Sequence, residues 1–92
     1  MLVRWTKPAV DDFTQICDYT EEHFGLAQAR RAALSIYKSV ESLRRFPHKG
    51  RPGRKPNTRE LNIQKLPFVV IYRIRDSVLE ITRILHGGQK WP

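Results

Sequence analysis

Cysteine is nearly missing from this 92-residue chain. Cys17 is its only one, so no internal disulfide can form and no zinc-finger set of thiolates exists. Acidic residues are scarce too, 9 against 17 Lys and Arg, for a net charge of +8. Long apolar runs are absent. The longest, Phe68 to Tyr72, falls far short of the ~20 residues a membrane-spanning helix needs. The N-terminus lacks the charged-then-apolar order of a signal peptide, since Lys7, Asp11 and Asp12 follow Trp5. No nucleophile elbow, P-loop or dinucleotide fingerprint is present. Gly50-Arg51-Pro52-Gly53-Arg54 holds two glycines, but no helix with Lys-Ser/Thr follows it. Residues 1–92 make one domain, too short for a two-lobed enzyme with a nucleotide between its lobes. These absences predict a cytoplasmic single-domain protein with no cofactor and no metal.

What is plentiful is positive charge, unevenly spread. Residues 1–46 carry 7 basic and 6 acidic residues, whereas residues 47–92 carry 10 and 3. From Arg44 to Arg59 there are seven basic residues and no acidic one. Such a field suits RNA, DNA or an acidic protein partner; the plainer reading is a solvated basic surface. In the loop, Arg51, Arg54 and Lys55 either contact phosphates or are simply solvated.

Hydrophobic spacing predicts the elements. Leu2 to Trp5 reads as a short strand, with Thr6 as a helix cap and Pro8 in the first turn. Phe13, Ile16, Cys17, Thr20 and Phe24 form one stripe on a helix over about 8–24. Gly25 ends it. A second helix, about 26–46, carries Ala29, Ala33, Ile36, Val40 and Leu43 on one face and stops at Pro47. Two helices joined at one glycine make an antiparallel hairpin, whose stripes need a further layer. Residues 47–58 read as loop. Three strands follow, around Leu61, over 68–75 and over 78–86, with turns at Lys65-Leu66-Pro67 and Asp76-Ser77. The predicted fold is α+β, in the order β-α-α-β-β-β: a helical hairpin packed on a small, mostly antiparallel sheet.

The last hairpin can be registered. With Asp76-Ser77 as a two-residue loop, Arg75 faces Val78, Ile74 Leu79, Arg73 Glu80 and Tyr72 Ile81. Continued without interruption, the ladder opposes Ile71 to Thr82, Val70 to Arg83 and Phe68 to Leu85, placing Arg83 on the helix side. Two readings of Arg83 follow. It reaches past the sheet edge to carbonyls or a helix carboxylate, or it lies in a groove and binds an anion. His23 sits at a helix end where the dipole favours it, and His48 lies in the basic loop. His86 closes the last strand beside Gly87-Gly88. It is either structural or a general acid or base, and no partner set for proton transfer is visible. Cys17 belongs to the core stripe, and Trp91 is an apolar anchor or a packed terminal residue.

Certain segments carry a resemblance. They are Gly50-Arg51-Pro52-Gly53-Arg54, Thr58-Arg59-Glu60-Leu61, Leu66 through Ile74, and Ile84-Leu85-His86-Gly87-Gly88-Gln89-Lys90-Trp91-Pro92. With the element order, the chain resembles the RelE/ParE superfamily of bacterial toxins from type II toxin–antitoxin modules over essentially its whole length. RelE-like members cut mRNA in the ribosomal A site with sheet lysines and arginines and often a C-terminal Tyr or His. ParE-like members lack that set and are associated with DNA gyrase. Here the two lysine positions correspond to Glu60 and Asn62, the early arginine of the next strand to Val69, and the C-terminal positions offer Gln89 and no tyrosine. The resemblance therefore implies a ParE-like toxin of the kind linked to plasmid stabilisation. It would inhibit gyrase and growth, and a cognate acidic antitoxin would neutralise it in a hetero-oligomer. Its target-binding residues would be Arg51, Arg54, Lys55, Arg59, Arg83, His86, Lys90 and Trp91. The alternative is a RelE-like ribosome-dependent mRNA endonuclease whose divergent site is Arg59, Arg83 and His86; a third is a basic adaptor without toxicity.

Overall fold

A computed structural model describes residues 1–87; Gln89, Lys90 and Trp91 lie outside the described residues. The chain runs β1 (Leu2–Trp5), α1 (Lys7–Phe24), α2 (Leu26–Arg45), β2 (Arg51–Pro52), β3 (Arg59–Asn62), β4 (Phe68–Arg75) and β5 (Val78–His86). Thr6 caps α1 by accepting the Ala9 N–H at 3.3 Å, while its hydroxyl donates to the Ile81 carbonyl at 2.9 Å. One threonine thus starts the helix and ties that start to the sheet. Gly25 serves both helices, ending α1 and beginning α2 at φ 90° and ψ 165°, a conformation open essentially to glycine alone. The hairpin expected from the sequence is there.

The five strands form one sheet in the order β1-β5-β4-β3-β2, parallel between β1 and β5 and antiparallel elsewhere. The two-residue β2 corrects the reading of 47–58 as pure loop. Two residues with a proline give no alternation to detect, and pairing with Arg59 and Glu60 is what makes them a strand. Asp76 and Ser77 have φ of 50° and 64°, the positive pair a tight two-residue hairpin turn requires.

The helices cover one sheet face. Ile36, Val40 and Leu43 of α2 pack on Val70, Tyr72, Leu79, Ile81 and Ile84. Each fully buried aliphatic residue contributes about 1.5–3 kcal/mol. α1 contributes less than its stripe suggests. Only Ala9 and Thr20 are buried, Phe13, Ile16 and Cys17 are half-buried, and Phe24 is 68% exposed, contrary to its expected place on the covered stripe. Burial raises the Cys17 thiol pKa, and the negative charge of Asp18 adds to it. On α2, Ala32 is buried and the expected Ala33 half-buried, a small rotation of the stripe.

The predicted register holds from Arg75↔Val78 to Tyr72↔Ile81 and then breaks. A β-bulge leaves Thr82 as the extra residue, so Ile71 opposes Arg83, Val70 opposes Ile84 and Phe68 opposes His86. The expected pairs Ile71–Thr82, Val70–Arg83 and Phe68–Leu85 are therefore incorrect. The bulge returns Ile84 to the helix side, where a charge would otherwise have stood.

Candidate functional site

The basic loop is organised around one carboxylate. Glu60, in the middle of β3, is only 3% exposed. Its Oε1 accepts from the Arg51 guanidinium at 2.9 Å, and its Oε2 accepts from the Arg54 backbone N–H at 2.8 Å. The loop folds back over β3 because its only nearby acid lies beneath it. Next to it, Arg59 donates to the Gly50 carbonyl at 2.7 Å. Tyr72, fully buried, donates to the Pro47 carbonyl at 2.8 Å and accepts the Gly50 N–H at 2.9 Å. Burial raises the Tyr72 phenol above its ordinary pKa. The hydrogen bond from Gly50 and the positive charge of Arg59 offset part of that rise. A Cβ on Gly50 would stand 2.7 Å from the Tyr72 hydroxyl oxygen, so glycine is what admits this bond.

Arg54, Lys55 and Arg83 line one cleft of about 380 Å³ on the sheet face away from the helices, with Glu60, Ile71 and Arg73. Arg73 is tied to Glu80 at 2.8 Å, the cross-strand pair the register predicts. Arg83 leaves the bulge at the point where β1 has ended, so β5 is there a sheet edge. Its guanidinium turns to α1 and meets Asp12 in a two-point ion pair, Nε–Oδ2 2.7 Å and Nη2–Oδ1 3.0 Å. The side chain is still 34% exposed. The hydrogen bond to Asp12 raises its pKa further above an already high value.

A second cleft, about 740 Å³, lies between the helical hairpin and the 66–68 turn. Its lining is mostly apolar, with Ile16, Tyr19, Phe24 and Phe68, and Asp12 and Arg83 at its polar side. His86 faces this cleft, its ring edge-on to Phe68 with centroids 5.8 Å apart. Among the residues expected to act together, Arg54, Lys55 and Arg83 share a cleft, and Arg83 and His86 share another. Arg51 and Arg59 are turned to structural partners, and Arg59 lines neither cleft. His23 Nδ1 donates to the Tyr19 carbonyl at 3.0 Å, and the ring stacks on that of Tyr19. Among the described residues no three His, Cys, Asp or Glu side chains are grouped to hold a metal ion.

Sequence reasoning missed Glu60 as the hub, Asp12 as the partner of Arg83, and the apolar cleft. A signal for Glu60 was available, since it is the first acid after seven cations. The cleft had none, because Phe24 reads equally well as core.

A two-helix layer on a five-stranded sheet with a basic loop pinned to β3 defines a RelE/ParE-type toxin fold. The chain belongs to the ParE toxin family of type II toxin–antitoxin systems (parDE), whose family model matches residues 3–91. It is 39% identical over 90 residues to Y4kP of Sinorhizobium fredii, covering 98% of this chain and 92% of that one. It is also 36% identical over 87 residues to toxin RelE2 of Caulobacter vibrioides, covering 95% and 96%. Among solved structures, a chain of the chromosomal ParDE TA system from P. aeruginosa superposes with a TM-score of 0.87 at 28% identity, covering 94% of this chain and 95% of that one. The chain is thus a ParE-family toxin.

Proposed function

We propose that this toxin arrests growth by inhibiting DNA gyrase rather than by cutting mRNA, and that an acidic antitoxin neutralises it in the cytoplasm. The observation that carries the reading is Glu60. Cleavage through a 2′-OH requires a base, an acid and cationic stabilisation of the phosphate. Where the nuclease branch carries lysine, this chain buries a carboxylate already paired with Arg51. Arg83, the remaining strand cation near His86, is bound at both ends of its fork to Asp12. A buried carboxylate gives a scissile phosphate no cationic stabilisation, and the Nε and Nη2 donors of Arg83 are spent on Asp12. Arg54, Lys55 and Arg83 on the open sheet face, with Lys90 and Trp91 assigned on sequence grounds, form the surface for the protein target. Arg and Trp are favoured interface anchors.

The apolar cleft is the seat proposed for the antitoxin, an acidic segment that folds as it binds. Purified protein is expected to inhibit gyrase supercoiling or trap cleaved DNA, and to leave mRNA on programmed ribosomes intact. Trp91→Ala should weaken toxicity with an unchanged circular dichroism spectrum. Cleavage of ribosome-bound mRNA with gyrase unaffected would assign the protein to the nuclease reading and make His86 the first residue to test. Co-expression with the adjacent reading frame checks the partner. A basic product, or no complex, defeats that part of the proposal.

A further inference from the structure

The corner between α2 and β2 has a composition that neither the gyrase nor the antitoxin reading uses. Phe46 caps the C-terminus of α2, yet the residue is 54% exposed, and the Arg45 guanidinium carbon lies over one face of its ring, 5.4 Å from the centroid. Arg45, Phe46, Pro47, His48 and Lys49 together line an open hollow of about 590 Å³. Arg44 is occupied by Glu41 at 2.9 Å. No carboxylate of the described residues pairs with Arg45 or Lys49.

The backbone beneath is fixed. Phe46 N–H donates to the Ser42 carbonyl at 3.0 Å and Lys49 N–H to the Phe46 carbonyl at 3.1 Å. Tyr72 holds the Pro47 carbonyl from inside, and Arg59 reaches the carbonyls of His48 and Gly50. The polar backbone is thereby satisfied inward, while one aromatic ring and its flanking cations are presented outward. A surface ordered before binding loses little freedom on binding.

We propose that this corner is a binding site for single-stranded nucleic acid, with a base stacked on Phe46 and phosphates held by Arg45 and Lys49. A half-exposed ring flanked by cations that no carboxylate of the described residues neutralises is the combination that binds single strands, because every unstacked base offers a flat face and every linkage a charge. A protein helix fits poorly here. It needs several apolar contacts spaced over two turns, and the hollow offers only the adjacent Phe46 and Pro47. Duplex DNA satisfies the cations but keeps its bases stacked, so it gains nothing from Phe46. The site stands apart from the gyrase reading, since its test contains no gyrase.

The test is fluorescence anisotropy of a labelled oligothymidylate of roughly a dozen nucleotides with the full chain, titrated across salt. Phe46→Ala is expected to weaken binding by about 5- to 140-fold at fixed salt, with an unchanged melting temperature. Phe46→Trp should bind as well as the parent. Replacing Arg45 and Lys49 by Gln should reduce the log–log salt slope by about 1.4, the loss of two single-strand phosphate contacts. An oligouridylate that also loses affinity in Phe46→Ala supports the assignment, the tighter of the two strands naming DNA or RNA; one indifferent to Phe46 counts against it. Full affinity in Phe46→Ala overturns it as well. So does equal affinity for a duplex of the same length or for a polyglutamate peptide, because charge alone would then account for binding.

Discussion

Asp12 and Arg83, 71 residues apart in the chain, meet in a two-point ion pair that joins α1 to the β5 bulge. The same Asp12 Oδ2 also accepts the Ile84 N–H at 2.9 Å. The carboxylate therefore serves three donors and the guanidinium serves one residue, so the two partners are not equivalent.

Asp12→Ala should accordingly cost more than Arg83→Ala. Because the Arg83 side chain is a third exposed, losing the pair costs about 1–2 kcal/mol after allowing for solvent screening. Removing Asp12 also strips the acceptor from a backbone N–H, a further ~1–3 kcal/mol. Thermal melts of both variants check the order, at about 4–8 °C per kcal/mol for a domain of this size. Equal losses would mean that Ile84 finds another partner. Growth arrest by a stable Arg83→Ala variant then tells whether the guanidinium also serves the target.

Glu60→Lys introduces the residue type that the resemblance to the nuclease branch would place there. The new ammonium would face Arg51 and leave the Arg54 N–H without its acceptor. The expected outcome is a destabilised loop and a lower melting temperature, by about 2–4 kcal/mol, with no gain of mRNA cleavage. Glu60→Gln, which keeps one acceptor oxygen, should lose roughly half as much. A Glu60→Lys protein that melts like the parent and cuts RNA would contradict the assignment of this residue as a structural hub.

Tyr72 sets a pH dependence. Its phenol pKa is raised in the folded chain, so the native state favours the neutral hydroxyl. The stabilisation is complete below the unfolded value near 10 and is lost as pH rises through the higher folded one. Tyr72→Phe should cost about 1–3 kcal/mol at neutral pH, because the Gly50 N–H loses its acceptor and the Pro47 carbonyl its donor. Above pH ~10 the gap between parent and variant should narrow. Melting curves at pH 7, 9 and 10.5 measure it; a constant gap would show that Tyr72 ionisation is not linked to unfolding.

Gly25→Ala tests the joint between the helices. A Cβ there meets nothing within 4 Å, so the whole cost is backbone strain at φ 90° and ψ 165°, about 1–3 kcal/mol. Gly25→Asn should be no better, since asparagine tolerates the left-handed helical region and this is a different one. Recovery of stability in the Asn variant would mean that the joint relaxes into that helical region.

The sequence made the architecture legible where pattern and punctuation agree. Thr6, Pro8, Gly25 and Pro47 bracket the helices, and Asp76-Ser77 marks the hairpin. The parts that stayed hidden are relations between distant residues. The bulge at Thr82 follows from where β1 ends and where Asp12 stands, and neither is local to β5. β2 exists only through its pairing with Arg59 and Glu60. In the candidate surface, the residue types were readable but their engagements were not. Arg51 and Arg59 look like free cations in the sequence and turn out to be loop fasteners. Phe24 shows the converse, an apolar residue at core spacing left outside because the sheet is too small to cover the whole of α1.

Among the described residues, β1 lies at a sheet edge and has β5 as its only neighbouring strand. In a chain made from its N-terminus, the first strand therefore has no partner until the last has emerged. The helical hairpin forms early from local contacts, but the apolar side of α2 stays wet until β4 and β5 follow. Closure of the sheet therefore waits for β5. A message truncated anywhere before β5 yields no smaller working toxin, only an unclosed chain for proteases to remove.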